Sequence, residues 1–240
     1  MTDETGQLSP EGRVVMVSGA NRGIGEAISR RLLADGYTLS LGSRKPPALP
    51  DLSEDGRVAQ FDFDAEDTGS PARWVARTVS RFGRLDAIVN NAGVAIPFDF
   101  ESEDETNLDL MLEVNVKAPY RLTKAAMPHL RAAGSGRVIN IASLSGIRHK
   151  GGSIGYSMSK HAMMALSTGT RMAAWDDGVR VTTVAPGATA TPMGLANTVV
   201  PEDQMTQPAT VAALVSTALS MPNTASVVTI PVNAVLEPTV

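Results

Sequence analysis

Val14-Val15-Met16-Val17-Ser18-Gly19-Ala20-Asn21-Arg22-Gly23-Ile24-Gly25 is the stretch on which the fold turns. Val14 to Val17 is an unbroken apolar run, the pattern of a strand buried on both faces, as in parallel sheets covered by helices. From Ile24 to Leu33 the apolar residues return at helical spacing (Ile24, Ala27, Ile28, Leu32), and Gly36 stands where that helix would stop. Between strand and helix lie Gly19, Gly23 and Gly25, which allow a tight turn, a close approach of backbone to phosphate, and a helix packed tightly on the sheet. The unpaired N–H groups and positive dipole end of the helix then point at whatever occupies the turn. The spacing is G-x-x-x-G-x-G rather than the commoner G-x-G-x-x-G, and a purely structural turn would need the same glycines.

The alternation continues along the chain. Strands are expected at Tyr37–Leu41, Val58–Phe63, Leu85–Val89, Arg137–Ala142, Val179–Ala185 and Val227–Val232. Helices are expected at Trp74–Phe82, Leu108–Leu130, Tyr156–Trp175 and Val211–Ser220, with Pro119 kinking the second of these near Asn115. Strand–helix alternation of this kind implies an α/β fold: a doubly wound parallel sheet flanked by helices on both faces. No repeat, linker or composition shift marks a second domain. The reading is a polar N-terminal extension over residues 1–12 and a single domain over 13–240. Two irregular segments, Arg44–Gly56 and Ala188–Pro208, follow strands and so sit at the carboxyl edge of the sheet, where ligands bind in such folds.

Composition narrows the function. In 240 residues, 43% hydrophobic and 19% charged content supplies a sizeable core, and 21 Gly with 15 Pro stay below the low-complexity range. A formal charge of −4 without a basic block gives no reason to expect nucleic acid as a partner. With no cysteine, disulfides, thiol nucleophiles and cysteine-bound metals are excluded. Three histidines (His129, His149, His161) without HExxH spacing argue against a catalytic metal. No apolar run approaches the ~18 residues of a membrane span, and Met1–Arg13 has no apolar secretory core, so a cytoplasmic protein is expected.

Tyr156 and Lys160, four apart on an expected helix, share one face. A phenol titrates near 10, but an ammonium ~4 Å away at an effective dielectric of ~20 is worth about 4 kcal/mol, or roughly 3 pKa units, before desolvation takes some back. That would bring Tyr156 toward neutrality, where an acid–base group works best. An exposed helix pair would show no such shift; the mostly apolar helix after Tyr156 favours burial.

Taken in order, Gly19-x-x-x-Gly23-x-Gly25, Asn90-Asn91-Ala92-Gly93, Asn115, Ser143, Tyr156-x-x-x-Lys160 and Pro186-Gly187 resemble the short-chain dehydrogenase/reductase family. The resemblance runs from about Gly12 to Met193 and implies a Rossmann-like, dinucleotide-binding catalytic domain. It implies that Ser143 holds the substrate oxygen beside Tyr156, that Lys160 also grips the nicotinamide ribose, and that Asn115 holds a water feeding protons to Lys160. An oxidised, positive nicotinamide ring would lower the Tyr156 pKa further. Asn21, Ile24, Asn90, Ala92 and Gly93 would contact the cofactor, with Pro186, Gly187, Thr189 and Thr191 facing the carboxamide. Asp62 resembles the family aspartate beside the adenine, with Phe63 next to it; Asp62 is equally suited to capping the next element.

The end of the second strand chooses between cofactors. A site for the unphosphorylated ribose wants a carboxylate there; this chain has Gly42-Ser43-Arg44-Lys45. Arg44 offers a fork for a 2′-phosphate, Ser43 a hydroxyl, and Arg22 a second cation, so NADP(H) is expected over NAD(H). Singly, Arg44 and Lys45 also read as solvated loop charges.

Around the catalytic residues the sequence neighbours are mostly apolar: Phe98, Leu144, Ile147, Ile154 and Met193, with His149 as a titratable handle or a solvated loop residue. A small or medium, largely apolar carbonyl or alcohol substrate is therefore expected. The alternatives are a catalytically idle NADP-binding sensor on the same fold, or an enzyme without net redox outcome such as an epimerase. The helix from Tyr156 to Trp175 has little polar surface, which predicts a homodimer or homotetramer built through it and the Asn115 helix. One feature departs from the family: no glycine follows Gly194, whereas a glycine-rich exit of the last strand is common.

Overall fold

The computed structural model describes residues 6–236; residues 1–5 of the polar N-terminal segment and the last four residues lie outside the described residues. Seven parallel strands form one sheet in the order β3-β2-β1-β4-β5-β6-β7: β1 Val14–Ser18, β2 Thr38–Ser43, β3 Val58–Asp62, β4 Ala87–Asn90, β5 Arg137–Ile141, β6 Arg180–Pro186 and β7 Thr229–Val232. The order reverses between β1 and β4. Their carboxyl ends therefore diverge into the crevice where doubly wound folds bind ligands.

Side-chain alternation along each strand divides the core in two. Val15 and Val17 face α1 (Gly23–Asp35) and α7 (Pro208–Ser220), packing with Ile28, Leu32, Val211, Val215 and Leu219. Val14 and Met16 face the other side, where Trp74 and Val75 of α2 (Ser70–Phe82) and Leu122, Ala126 and Leu130 of α4 (Ala118–Ala132) cover them. Gly36 closes α1 in the left-handed conformation, its N–H donating to Leu32 and Leu33 carbonyls. Leu8, in the described part of the N-terminal segment, is buried and donates its N–H to the Ser220 carbonyl at the end of α7.

Of the polar features in the interior, two bear on the carboxyl edge. A chain of side-chain hydrogen bonds crosses beneath the carboxyl edge: Asn90 Nδ2 donates to Asn140 Oδ1 at 2.7 Å and to Thr123 Oγ1 at 3.2 Å, and Asn140 Nδ2 donates to Ser167 Oγ at 2.8 Å. The second lies in the long helix of the middle of the chain. It is α3 (Thr106–Leu112), a π-helical turn over Glu113–Lys117, then α4. The kink expected near Asn115 takes the form of this turn, in which the Ala118 N–H reaches back five residues to Glu113. Pro119 has no N–H, so the Asn115 carbonyl has no donor four residues on.

The expected elements are all present; the helices run a little longer than expected, while β3, β4, β5 and β7 are one or two residues shorter. Missed were the short α6 (Pro192–Asn197) and single 3-10 turns at Pro50–Leu52, Leu144–Gly146 and Glu202–Gln204.

Candidate active site

A cleft of about 1030 Å³ opens along the carboxyl edge of the sheet. Its floor is the β1–α1 turn. The Gly19 and Ala20 N–H groups donate to the Gly42 carbonyl at 2.9 and 3.3 Å, tying the turn to the end of β2. On the other side Ser18 Oγ accepts from the Asn91 and Ala92 N–H groups at 3.0 Å, and Asn91 Nδ2 donates to the Ser18 carbonyl at 2.9 Å. Gly25 is where α1 comes closest to this knot: a Cβ there would fall inside contact with the Gly19 carbonyl and 2.5 Å from Asn91 Nδ2. No side chain caps the first turn of α1, so its N–H groups and dipole are left for an anion.

Most of the expected cofactor residues line this cleft. Gly19, Asn21, Arg22, Gly23, Ile24 and Gly25 form the floor; Ser43, Arg44 and Phe63 close one end; Ala92 and Gly93 lie between the halves. Pro186, Gly187, Thr189 and Thr191 form the wall after β6. The Ser43 hydroxyl is buried and has no hydrogen-bond partner. An orphaned donor beside Arg44, above an uncapped helix, fits the phosphates and ribose of a nicotinamide dinucleotide.

Two expected cofactor residues are elsewhere. Asn90 points into the sheet, held by Asn140 and Thr123, and Asn91 takes the place in the wall. Adjacent residues of an extended chain face opposite ways, and Asn90 is the inward one. Asp62 is exposed at the end of β3, while Phe63 and Asp64 line the cleft. Thr191 is present but engaged: its Oγ1 accepts from the Gly194 N–H at 3.0 Å as the cap of α6.

Ser143, Tyr156 and Lys160 meet on the wall beyond β5. Ser143 caps the 3-10 turn Leu144–Gly146, accepting from the Ser145 N–H at 3.1 Å, and its side chain also hydrogen-bonds Tyr156. Tyr156 enters in the first turn of α5 (Ile154–Ala174), whose cap, Ser153, accepts from the Tyr156 N–H. Lys160 Nζ lies 5.6 Å from the Tyr156 ring centre and donates to the Ile141 carbonyl at 2.9 Å. Asn115 is buried alongside, its amide paired with both backbone groups of Val94 at 2.8 Å and with Ser159 Oγ at 3.0 Å. Its side chain is thus a brace for the loop after β4.

The electrostatics differ from the sequence expectation. Burial pushes the Tyr156 phenol above its ordinary value, with the Ser143 hydrogen bond pulling the other way. Burial also lowers Lys160 from 10.5 to about 8. Removing water penalises the charged form of each, and Nζ is turned to the Ile141 carbonyl rather than the phenol oxygen.

Of the expected substrate-pocket residues, Leu144 and Met193 line the cleft. Ile147 packs into the core against Ala142, Met163 and Ala185. Phe98 and Ile154 meet each other through a backbone hydrogen bond and stay outside the wall, as does His149, an exposed residue bound through Nδ1 to Ser157 Oγ at 2.8 Å. Instead its neighbours Arg148 and Lys150 line the cleft, which no reading of apolar neighbours would have picked out. The glycine-free C-terminal segment contributes Ala234 and Val235 to the rim. Among the described residues no three His, Asp or Glu side chains gather as a metal site, and no helix is long and apolar enough to cross a membrane.

The chain is similar to known proteins. Agropine synthesis reductase of Rhizobium rhizogenes is 40% identical over 219 residues, covering 89% of this chain and 50% of that protein. The chain thus spans half the length of that relative. Levodione reductase of Leifsonia aquatica is 32% identical over 189 residues, 75% of this chain and 71% of the relative. The structure of an alcohol dehydrogenase from Thermococcus sibiricus complexed with 5-hydroxy-NADP superposes with a TM-score of 0.85 at 29% identity, covering 94% of this chain and 98% of that one. The family model for short chain dehydrogenases matches residues 13–199. With the parallel sheet, the glycine floor and the Ser143–Tyr156–Lys160 wall, this match places the chain in the short-chain dehydrogenase/reductase family of oxidoreductases.

Proposed function

We propose that the protein is an NADP(H)-dependent oxidoreductase that moves hydride between nicotinamide and a small or medium carbonyl or alcohol substrate. The observation that carries this reading is the meeting of Ser143, Tyr156 and Lys160 on one wall of a cleft whose floor suits a dinucleotide. Bound there, the cofactor supplies or accepts a hydride at its ring. The chain's own work is on the oxygen. Ser143 donates a hydrogen bond to the substrate oxygen and holds it against the Tyr156 phenol. Tyr156 gives its proton to that oxygen during reduction, and takes one from the alcohol during oxidation. A phenol kept neutral by burial starts as an acid, ready for reduction; Lys160, when charged, stabilises the phenolate left behind. Asn115 holds the water that returns the proton.

The preference for NADP(H) rests on the Ser43 hydroxyl, buried without a partner, and on Arg22 and Arg44 in the wall, with Asp62 turned out to solvent. The reading extends to a cytoplasmic homodimer or homotetramer. Tyr120 on α4 and Met158 and Met172 on α5 are exposed at 52, 47 and 75%, an apolar surface on the helices that bear the site. Light scattering at micromolar concentration should give a multiple of 25.2 kDa; a single-chain mass overturns the assembly.

The test of the chemistry is Tyr156→Phe, assayed with NADPH against aldehydes and ketones. Turnover should fall at least ~10²-fold, the usual loss with a general acid, and near-native turnover would refute the mechanism.

A further inference from the structure

Behind the β2 end of the cleft lies a tryptophan that the hydride-transfer reading does not use. Trp74 of α2 is fully buried and does not itself line the cleft. Its side chain is held by a closed circuit of hydrogen bonds. The indole Nε1 donates to Ser40 Oγ at 2.9 Å, Ser40 Oγ lies 2.7 Å from Thr78 Oγ1, and Thr78 Oγ1 donates to the Trp74 carbonyl at 2.9 Å. Ser40 and Gly42 are two apart on β2 and so share a face of the sheet. The ring fastened to Ser40 therefore lies against Gly42: a Cβ at Gly42 would stand 2.6 Å from its six-membered part. On its other side the ring meets Phe63, with centres 4.9 Å apart and planes tilted by 43°.

Both neighbours of the ring belong to the cleft's construction. The Gly42 carbonyl receives the Gly19 and Ala20 N–H groups, and so anchors the glycine turn. Ser43, next in the chain, carries the buried hydroxyl without a partner. Phe63 lines the cleft, and its N–H donates to the Ser43 carbonyl at 3.0 Å. Glycine inside a strand marks a place where another group comes close, and at Gly42 that group is the indole. One ring thus sets the level of Gly42, and through it the glycine turn and Ser43, together with the tilt of Phe63. A close-packed interior has no slack to absorb a change in such a ring. The catalytic wall is remote from it: β5 stands three strands from β2, about 14 Å at ~4.8 Å per strand.

We infer that Trp74 is a positioning residue for the adenosine end of the dinucleotide. It acts through Gly42 and Phe63, holding the glycine turn and the Ser43 hydroxyl at the level where ribose and phosphate are received. The inference rests on the dinucleotide reading of the cleft and adds a residue outside the site on which cofactor affinity depends.

The experiment is calorimetric titration of the full chain with NADPH and with whichever of adenosine 2′,5′-bisphosphate and 5′-AMP binds the native protein more tightly. Three variants are compared. Gly42→Ala drives a methyl group into the indole, Trp74→Phe withdraws the ring from Gly42, and the double variant fills the vacated space with the added methyl. Gly42→Ala should weaken the adenosine probe about tenfold and Trp74→Phe about threefold, while the double variant returns to within about threefold of native, a non-additive pair. Stoichiometry separates positioning from folding: protein lost to unfolding lowers the number of sites, whereas a displaced wall weakens each site and leaves their number unchanged. With NADPH and an accepted carbonyl compound, KM should rise in the same order and kcat stay within about twofold of native. Native affinity in both single variants, a loss of sites at unchanged affinity, or a double variant as weak as Gly42→Ala alone overturns the inference and leaves the dinucleotide reading intact. A native protein that binds neither NADPH nor the adenosine probes refutes that reading, and the role of Trp74 with it.

Discussion

The two ends of the cleft are made of different material. Over β1 and β2 the floor is mostly backbone: the Gly19 and Ala20 N–H groups on the Gly42 carbonyl and the bare first turn of α1, stitched by the short side chains of Ser18 and Asn91. Over β5 and β6 the wall is side chains carried on turns: Ser143, Arg148, Lys150, Tyr156, Met193. Backbone surfaces tolerate almost no added atom, because there is no rotamer to move aside. Side-chain surfaces accept substitution but hold their charges at a cost in stability.

The largest expected effect breaks the backbone end. Gly25→Ala puts a methyl group against the Gly19 carbonyl and Asn91 Nδ2; overpacking of this kind costs about 1–3 kcal/mol, and more where backbone must shift. Urea unfolding should register the loss, and NADPH affinity, followed by fluorescence, should fall at least tenfold. Unchanged stability and affinity would mean the turn has slack that the geometry denies it.

Lys160→Met probes the other end, with the opposite sign. Lys160 titrates at about 8 in the folded protein against 10.5 ordinarily, so between these values the unfolded chain holds more protons. Folding then gains from rising pH across that window, and below pH 8 the buried ammonium costs about 3 kcal/mol. The substitution removes this cost and leaves the Ile141 carbonyl without its donor, a penalty of about 1 kcal/mol. The variant should be about 2 kcal/mol more stable than the native protein at pH 7 and lose that advantage by pH 10, while catalysis disappears. Equal destabilisation at both pH values would show that no charge is buried there.

Arg44→Ala is the smallest change. It should raise the dissociation constant of NADPH about tenfold more than that of NADH, the effect of one charge-assisted contact at a half-open site. Parallel changes for the two cofactors would separate Arg44 from the 2′-phosphate.

The same contrast decides what was legible in the sequence. Backbone requirements leave marks in the chain itself: glycines in a turn, an apolar run where both faces are covered, Gly36 after the last helical turn. Tyr156 and Lys160 were legible for a similar reason, since helical spacing fixes their relation. Errors arose where parity or packing decided. Asn90 and Asn91 look alike in sequence and face opposite ways, and the same alternation puts Phe63 in the wall and Asp62 in solvent. His149 drew the eye as a titratable residue, yet the turn after Ser143 aims its two cationic neighbours at the cleft. Pro119 did announce a disturbance at Asn115, but not that it would be a π turn.

The amide pair Asn90–Asn140 settles a question that the apolar strands leave open. Runs of Val, Ile and Ala look nearly the same when shifted by two residues, so β4 and β5 could slide past each other and still bury an oily surface. A slide would part Asn90 from Asn140 and leave Thr123 and Ser167 with the wrong neighbours, stranding several buried polar groups at about 1–3 kcal/mol each. The hydrogen-bonded chain thus acts as a keyway, and a misaligned sheet would be caught by its thirst for water long before its packing gave it away.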